Sequence, residues 1–582
     1  MAKKPMTILL ATAMLLSLIA GCGQTDMGRN TSAIAESTAV SAIESATAPT
    51  VSGAENSVEA PSDEDSSLGA AEGDLYASVN YDLPLFEDTL ELSVFYPSRN
   101  ANLAAMPSHD SKEFPFWARV QENLNVDLTF QEPNQDVCAE QCNLMLASGD
   151  YTDLIFESMV NSTGSAYSGG YDQAIEEDIY VNLMDYMDYA PNYAHYVLDN
   201  PDNRRVVVTE EGNIGAFMKI LSEQQKAVIG LCVHTEYWEA TGLPMPETVP
   251  EWMEMFSVMA DQGVKYPCDV NSSGQIQGGD FEDAMGGCVS TEFLIDAESG
   301  DMVFGPTTAE TKEYIELFIQ CMNNGWIDPD WVSFTGNENP LFADGSIATC
   351  DQIYMQLIQA PQRLGFGLTP CPVPHREGYG AGQLAIGELA YPMASAGGGI
   401  AVTTACDDLE GAMKMIDWMY SEEGADIINY GWMEGETYDV VDGEKVINAF
   451  YSANNEDYGC GNKSLYTNDR DFGYTYPNLA LVTAADVQIS AANGWTVDPS
   501  NEAAIYLRLP DAVRLNSEES NELNTLISDL STYIQTTMLG WMNRTVAFSD
   551  EEWDEFCATC DEMSLGKIQA GYEEAYQRYL DK

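Results

Sequence analysis

Alternating hydrophobic and polar positions mark three short strands early in the folded part of the chain. The stretch 89–96 alternates and then becomes apolar, as a strand entering a sheet does, and the stretches 125–130 and 153–157 also predict strands. Apolar positions at helical spacing predict helices at 116–124 and 136–147, between the strands. This order of strands and helices implies parallel strands in an α/β layer. The pattern therefore predicts an α/β fold.

The first 21 residues have the organisation of a secretory signal peptide. Two lysines precede an apolar core of about 15 residues, which is too short to cross roughly 30 Å of hydrocarbon. The core ends in Ile19-Ala20-Gly21-Cys22, which resembles the lipobox of bacterial lipoproteins. The resemblance implies that Cys22 is lipidated and that the chain is anchored to a membrane rather than spanning it. The alternative is an ordinary signal peptide followed by an incidental cysteine.

The segment 22–83 is predicted to be a lipidated cysteine followed by a disordered, acidic tether. Ser, Thr, Ala, Glu and Gly dominate it, and Arg29 is the only basic residue between positions 23 and 75. Low hydrophobicity combined with acidic charge predicts disorder. A flexible chain of this length has a root-mean-square reach of roughly 40 Å, which suits a globular head held just off a membrane.

The charge of the chain argues against a nucleic-acid partner. The 24 basic and 93 acidic residues give a formal net charge of -69 over 582 residues, and removal of the signal peptide with its two lysines would bring this to -71. Such a field repels nucleic acids and anionic lipid headgroups. Hydrophobic residues make up 45% of the chain, which indicates a folded protein. Its 582 residues are enough for more than one lobe.

The cysteines and histidines do not form a recognisable catalytic or zinc-binding pattern. Twelve of the 13 cysteines remain after Cys22, at irregular spacing that permits disulfides but also suits small buried side chains. The pair Cys557 and Cys560 has no second pair or histidine cluster beside it, and its surroundings predict a helix. There is no H-E-x-x-H or G-x-S-x-G motif. We therefore expect a protein that is not an enzyme and needs no cofactor.

One loop has the spacing of a calcium site. Oxygen-bearing side chains occupy positions 1, 3, 5, 7 and 12 of the pattern D-x-[DN]-x-[DNS]-G-x-I, at Asp269, Asn271, Ser273, Gln275 and Asp280. The ninth position lacks a carboxylate, and the twelfth is Asp where a bidentate Glu is usual. A simple polar loop is therefore the favoured interpretation, and calcium binding is the alternative.

Seven segments, in the same order, resemble extracellular solute-binding proteins of sugar-type ABC importers. They are LMLASGDYTDLI at 144–155, YVNLMD at 180–185 with APN at 190–192, LCVHTEYWEATGLP at 231–244, PETVPEW at 246–252, MNNGWIDPD at 322–330, YGWMEGETY at 430–438 and the C-terminal segment 540–579. The segment 430–438 resembles the lipoprotein (LipO-like) branch of that family. Each match is weak alone, and their shared order across most of the chain carries the resemblance.

The resemblance implies a type II periplasmic-binding-protein-like fold, with two α/β lobes, a hinge and an interlobe cleft. We place lobe one at 84–230 plus about 385–430, and lobe two at 231–384 plus about 431–582. The expected function is capture of a small solute, by default a sugar or oligosaccharide, and its delivery to an ABC permease. The protein would act as a monomer, lipid-anchored on the extracytoplasmic face of the membrane. Two alternatives stay open: a glycan- or peptide-binding lipoprotein without a transporter, and an exported glycoside hydrolase.

Candidate ligand contacts lie where predicted strands end, because open α/β sheets bind ligands at the carboxyl ends of their strands. Aromatic rings can stack on the C–H faces of sugars, while polar side chains bind the hydroxyl groups, although most aromatic residues in a large protein belong to its core. The candidates are Tyr96 and Arg99 after the first strand, Glu157 and Ser158 after the third, His234 and Trp238 from the family match, Asp351 and Tyr354 after a strand predicted at 346–350, and Trp432 in a glycine-rich turn. His234 stands where the family commonly has Arg.

Overall fold

The computed structural model describes residues 76–97, 110–162, 164–333, 340–455, 460–467, 472–477, 479, 481, 484–500 and 502–582. Cys22, Arg99, the predicted signal peptide and most of the predicted tether lie outside these residues. All described residues belong to one compact unit of the chain. Within it, buried side chains form separate clusters around different sheets, and we call the two parts the first and second lobe.

The first lobe is built on a four-stranded sheet whose core strands run parallel, as the sequence predicts. Its strands, in spatial order, are Ile400–Val402, Leu154–Phe156, Leu90–Phe95 and Val126–Gln131. The last three pair in parallel, and Ile400–Val402 adds an antiparallel edge strand. Leu90, Leu92 and Val94 alternate with more exposed positions and are buried, which explains the period-two pattern.

The helices between these strands begin and end at sequence signals. Pro115 starts the helix Pro115–Leu124, and Asn125 ends it in the left-handed region with a φ of 62°. Gly149 ends the helix Cys138–Ser148 with a φ of 75°, which a residue without a Cβ adopts easily. Both predicted helices are confirmed to within two residues.

The second lobe contains two further sheets. The three-stranded sheet has the order Thr349–Ile353, Ile229–His234 and Leu368–Pro370, with both pairings antiparallel. The four-stranded sheet has the order Ile386–Glu388, Tyr506–Arg508, Phe293–Asp296 and Met302–Phe304. The strand predicted at 346–350 therefore lies three residues further along the chain. Helices cover both sheets and fill the C-terminal part of the lobe.

The helices of the first lobe, besides the two above, are Gly170–Glu176, Pro191–Leu198, Pro201–Val207, Leu409–Trp418, Glu422–Tyr430, Ala449–Ser452 and Lys463–Tyr466. Those of the second lobe are Thr235–Thr241, Val249–Asp261, Asp280–Met285, Ala309–Asn324, Pro340–Ala343, Ala360–Arg363, Asp486–Trp495, Ser517–Met542, Asp550–Glu562 and Leu565–Asp581. Small two-stranded ladders are formed by Tyr438–Val441 with Glu444–Ile447, Asn454–Asn455 with Cys460–Gly461, and Tyr474–Thr475 with Ile220–Leu221. Within the described residues, no helix is both long enough and apolar enough to cross a membrane.

The lobe boundaries differ from those predicted near residues 385 and 431. The strand Ile386–Glu388 pairs with Tyr506–Arg508 and so belongs to the second lobe. The chain after residue 431 stays with the first lobe, since Trp432 stacks on Trp418 and Phe472 on Trp117. It leaves that lobe only after the strand Tyr474–Thr475. The sequence of a short strand does not indicate which sheet the strand will join, because pairing depends on residues that are distant along the chain.

Candidate ligand-binding site

Tyr96 lies inside the core of the first lobe. Its ring makes edge contacts with Trp117, Phe130 and Phe156, at centroid distances of 5.7, 5.5 and 5.1 Å. Only 6% of the residue is exposed. The prediction that Tyr96 lines a cleft is therefore not met in this conformation, because the side chain turns into the sheet's own aromatic cluster.

Glu157 is also buried, and its carboxylate binds groups of its own lobe. It accepts hydrogen bonds from the Ala166 amide at 2.8 Å, the Tyr171 hydroxyl at 2.7 Å and the Tyr180 hydroxyl at 2.9 Å. Burial raises the pKa of Glu157 to about 7, although these hydrogen bonds oppose the shift. Glu157 thus fixes the loop behind the sheet edge and does not face a ligand as predicted.

Ser158, the next residue, is half-buried at the edge of the first sheet. The glycine run 397–399 packs closely against this turn. Gly398 has a φ of 71°, and a Cβ placed on it would lie 3.0 Å from the Ser162 carbonyl oxygen and 3.3 Å from the Ser158 Cα. The run is therefore the tight turn that enters the strand Ile400–Val402.

His234 and Trp238 lie at the carboxyl end of the central strand of the second lobe. The His234 ring is stacked between Tyr237 and Phe366, with both centroids 4.0 Å away. Its Nδ1 is 3.0 Å from a carboxylate oxygen of Glu236. Burial lowers the pKa of His234, while the charge of Glu236 opposes the change. Trp238 is half-buried against the main core of the second lobe.

Asp351 and Tyr354 do not join His234. Asp351 lies within the strand Thr349–Ile353, and its Oδ2 would be 2.4 Å from a Cβ placed on Gly278. Tyr354 follows that strand, and its amide donates to the Val228 carbonyl at 3.0 Å. Since the pairing is antiparallel, Tyr354 lies at the opposite end of the central strand from His234, about 20 Å away for six residues.

Tyr354 lies near enough to the segment 449–466 for two of its residues to influence the pKa of the tyrosine. Burial raises the pKa of Tyr354, the positive charge of Lys463 opposes this shift, and Tyr451 adds to it. Both neighbours belong to the segment 449–466, which packs on the first lobe through Leu465 against Phe114. Tyr354 itself is 6% exposed and packs in an apolar cluster of the second lobe, so its role as a ligand contact stays a prediction.

Further tyrosines extend this region along the first lobe. The Tyr476 hydroxyl donates to Asp426 at 2.8 Å, and the ammonium of Lys445 lies 2.9 Å from the other oxygen of Asp426. The same ammonium is 5.7 Å from the ring centre of Tyr430. Burial raises the pKa of Tyr430, with smaller contributions from Asp426, Glu444 and Tyr451. We call Tyr354, Tyr430, Tyr451 and Tyr476 the interlobe tyrosine cluster.

The chemistry of this cluster suits a polyhydroxylated ligand. Aromatic faces provide apolar contact, and the nearby carboxylate and ammonium groups provide hydrogen-bond acceptors and donors. Sequence analysis missed three of its four members. The one available signal was the density of tyrosines between 430 and 476, which is equally typical of a core. Trp432, in the same segment, stacks on Trp418 at 5.9 Å and is half-buried.

The loop proposed for calcium is closed by its own hydrogen bonds. The Asn271 side-chain oxygen accepts from the amides of Ser273 and Gln275, both at 3.0 Å, and the Asn271 amide group donates to the Gln275 side-chain oxygen at 3.0 Å. Gln275 in turn donates to the buried Glu282 at 2.8 Å. Across the described ranges, no three His, Cys, Asp or Glu side chains are grouped as metal ligands. Calcium binding at Asp269 and Asp280 stays a prediction.

Comparison with known proteins identifies the fold. No protein-family profile and no curated protein matches the sequence. Among solved structures, an extracellular solute-binding protein from Bifidobacterium longum subsp. infantis is similar, with a TM-score of 0.64 and 16% identity over 84% of this chain and 98% of that one. The chain has the two-lobe α/β fold of periplasmic binding proteins.

Two further structures with this fold are of carbohydrate-binding proteins. An HMO-binding, ABC-transporter-associated solute-binding protein from Bifidobacterium longum infantis has a TM-score of 0.61 and 16% identity, covering 84% of this chain and 99% of its own. The S. pneumoniae ABC-transporter substrate-binding protein FusA, in complex with kestose, has a TM-score of 0.59 and 15% identity, covering 84% and 99%. At such identities the similarity shows the fold alone.

Proposed function

We propose that this protein binds an oligosaccharide between its lobes and delivers it to the permease of an ABC importer. The observation that carries the proposal is the interlobe tyrosine cluster, in which Lys463 and Tyr451 of the first lobe influence the pKa of Tyr354 in the second lobe. The structural neighbours named above, with bound or assigned oligosaccharides, support the same ligand class. A ligand that touches both lobes stabilises the closed form relative to the open one.

Ligand screening by thermal shift and calorimetry tests this proposal. Oligosaccharides, monosaccharides and peptides are added to the full-length protein, since a ligand that binds the folded state raises the melting temperature by mass action. We expect at least one oligosaccharide to raise it and the peptides to leave it unchanged. A shift with peptides and none with sugars would contradict the sugar assignment.

Lipid anchoring through Cys22 is the second part of the proposal. The lipobox-like ending and the acidic segment behind it support an anchored head on the extracytoplasmic face. In a bacterial host that processes lipoproteins, Cys22→Ala should move the protein from the membrane fraction to the soluble fraction, with unchanged sugar affinity. Retention in the membrane would contradict the anchor, and loss of affinity would contradict the separation of anchor and site.

The two alternatives give different results in related assays. A glycoside hydrolase releases products from a glycan panel, and two catalytic carboxyl groups would have to lie about 5 to 9.5 Å apart. We expect no turnover. A binding lipoprotein without a transporter would bind sugar but support no uptake. Sugar uptake is therefore compared between a strain that has the gene and a strain that lacks it. Import predicts lower uptake without the gene, whereas adhesion alone predicts equal uptake.

A further inference from the structure

A pair of exposed tyrosines stands apart from the interlobe region. Tyr186 and Tyr189 are each 39% exposed, and their rings lie 14° from parallel with centroids 6.4 Å apart. At that distance two nearly parallel rings are displaced sideways, so together they cover a wider strip than one ring does. The neighbouring carboxylates of Asp185 and Asp188 are exposed too. We call these two tyrosines the surface tyrosine pair.

The backbone that carries the pair is held firmly by the first lobe. Between and around the tyrosines, Leu183, Met187 and Ala190 are buried, with 0%, 3% and 0% exposure. The Asn182 side-chain oxygen accepts from the amides of Met184 and Ile214, both at 3.2 Å. Because the backbone is already fixed, a ligand that stacks on the rings does not have to order the backbone on binding.

The pair lies away from the carboxyl edge of the first sheet. Just before it, the Val181 amide donates to the Val402 carbonyl at 2.9 Å. Val402 pairs with Leu154, at the amino end of the strand that Glu157 follows. The chain therefore enters the segment of the pair at the end of the sheet opposite Glu157.

We propose that the surface tyrosine pair is a second glycan-binding site, which holds a neutral polysaccharide chain on the outside of the first lobe. Two displaced, nearly parallel rings offer stacking faces to successive sugar rings of an extended chain, and the two exposed carboxylates accept hydrogen bonds from its hydroxyl groups. The net charge of -69 disfavours anionic polysaccharides. This site is independent of the function proposed for the interlobe region.

Affinity electrophoresis tests the site directly, because the acidic protein migrates well in native gels. The full-length protein, solubilised in neutral detergent, is run in gels containing galactomannan, arabinoxylan or mixed-linkage β-glucan. We expect at least one of these neutral polysaccharides to retard the unmodified protein. Tyr186→Ala combined with Tyr189→Ala should abolish the retardation, whereas the Phe double variant, which keeps both rings, should preserve it. Tyr379→Ala, a half-buried tyrosine of the second lobe, is the matched control and should migrate like the unmodified protein.

Each other outcome overturns the proposal. If none of the three polymers retards the protein, or if the Ala double variant is still retarded, the surface tyrosine pair is not a polysaccharide-binding site. Retardation lost in Tyr354→Ala but kept in the Ala double variant would assign polymer binding to the interlobe region. Binding of a lysine-rich peptide that depends on the pair, without polysaccharide binding, would indicate a basic protein partner. Calorimetry with short oligosaccharides reports the interlobe site separately, so failure of one proposal is distinguishable from failure of the other.

Discussion

Glu157 and Tyr354 each directly follow a strand, yet the fold gives them opposite surroundings. The Glu157 carboxylate accepts hydrogen bonds from four donors of its own lobe, the longest from the Ser165 hydroxyl at 3.5 Å. Tyr354 packs on its own lobe, while the charge of Lys463 and the nearby Tyr451, both of the other lobe, influence its pKa. Position at a strand end is therefore insufficient to define a ligand contact.

The largest expected effect is on the stability of the first lobe. Glu157→Ala leaves the Ala166 amide and the hydroxyls of Tyr171 and Tyr180 without their acceptor, and should lower the free energy of unfolding by about 3 to 5 kcal/mol. Urea unfolding measures the loss. Glu176→Ala, at an exposed position, is the control and should change stability by less than about 0.5 kcal/mol. Equal effects of both changes would show that the enclosed carboxylate is not structural.

The pH dependence of stability gives a second test of the enclosed carboxylate. The folded pKa of Glu157, about 7, exceeds the ordinary value of 4.5, so the folded state favours the protonated acid. Its contribution to stability is complete below pH 4.5 and is lost as the pH rises through 7, by roughly 3 kcal/mol. Glu157→Gln cannot ionise, so unfolding measured between pH 4.5 and 8 should lack this component. If the stability of Glu157→Gln depended on pH in the same way as that of the unmodified protein, the raised pKa of Glu157 would be contradicted.

Ligand affinity should depend on Tyr354. Tyr354→Ala removes the second lobe's ring from the interlobe tyrosine cluster and should weaken oligosaccharide binding by roughly 10- to 100-fold, or about 1.4 to 2.7 kcal/mol. Tyr354→Phe keeps the ring and should stay within about threefold of the unmodified protein. Calorimetry on folded protein measures both. Full affinity in Tyr354→Ala would place the ligand elsewhere.

The smallest expected effect is at the other end of the same sheet. His234→Ala removes the ring stacked between Tyr237 and Phe366, which should cost some stability. It should change oligosaccharide affinity by less than about twofold, since His234 lies at the far end of the strand from Tyr354. A tenfold loss of affinity in a folded His234→Ala protein would show that the ligand binds near His234 rather than near Tyr354.

Local features of the sequence predicted the first sheet and its helices well. The alternation at 89–96 and 125–130 and the cap signals around Asn125 and Gly149 act within a few residues, so they can be recognised without knowledge of the rest of the chain. Site prediction was less successful. Tyr96 and Glu157 have the residue types of a carbohydrate site, but their side chains turn inward to partners that come from distant parts of the chain.

The sequence by itself determined the α/β order of the first lobe, the strong negative charge and the ordered family-like segments. Tertiary structure decided which lobe each later strand joins, as with Ile386–Glu388, and which strand-end residues face the other lobe. The physical reason is the distance along the chain over which each kind of interaction acts. Periodicity and capping report interactions within one or two turns of the chain, whereas the electrostatic interaction of Lys463 with Tyr354 joins residues more than a hundred positions apart. Such a contact exists only once both lobes have folded.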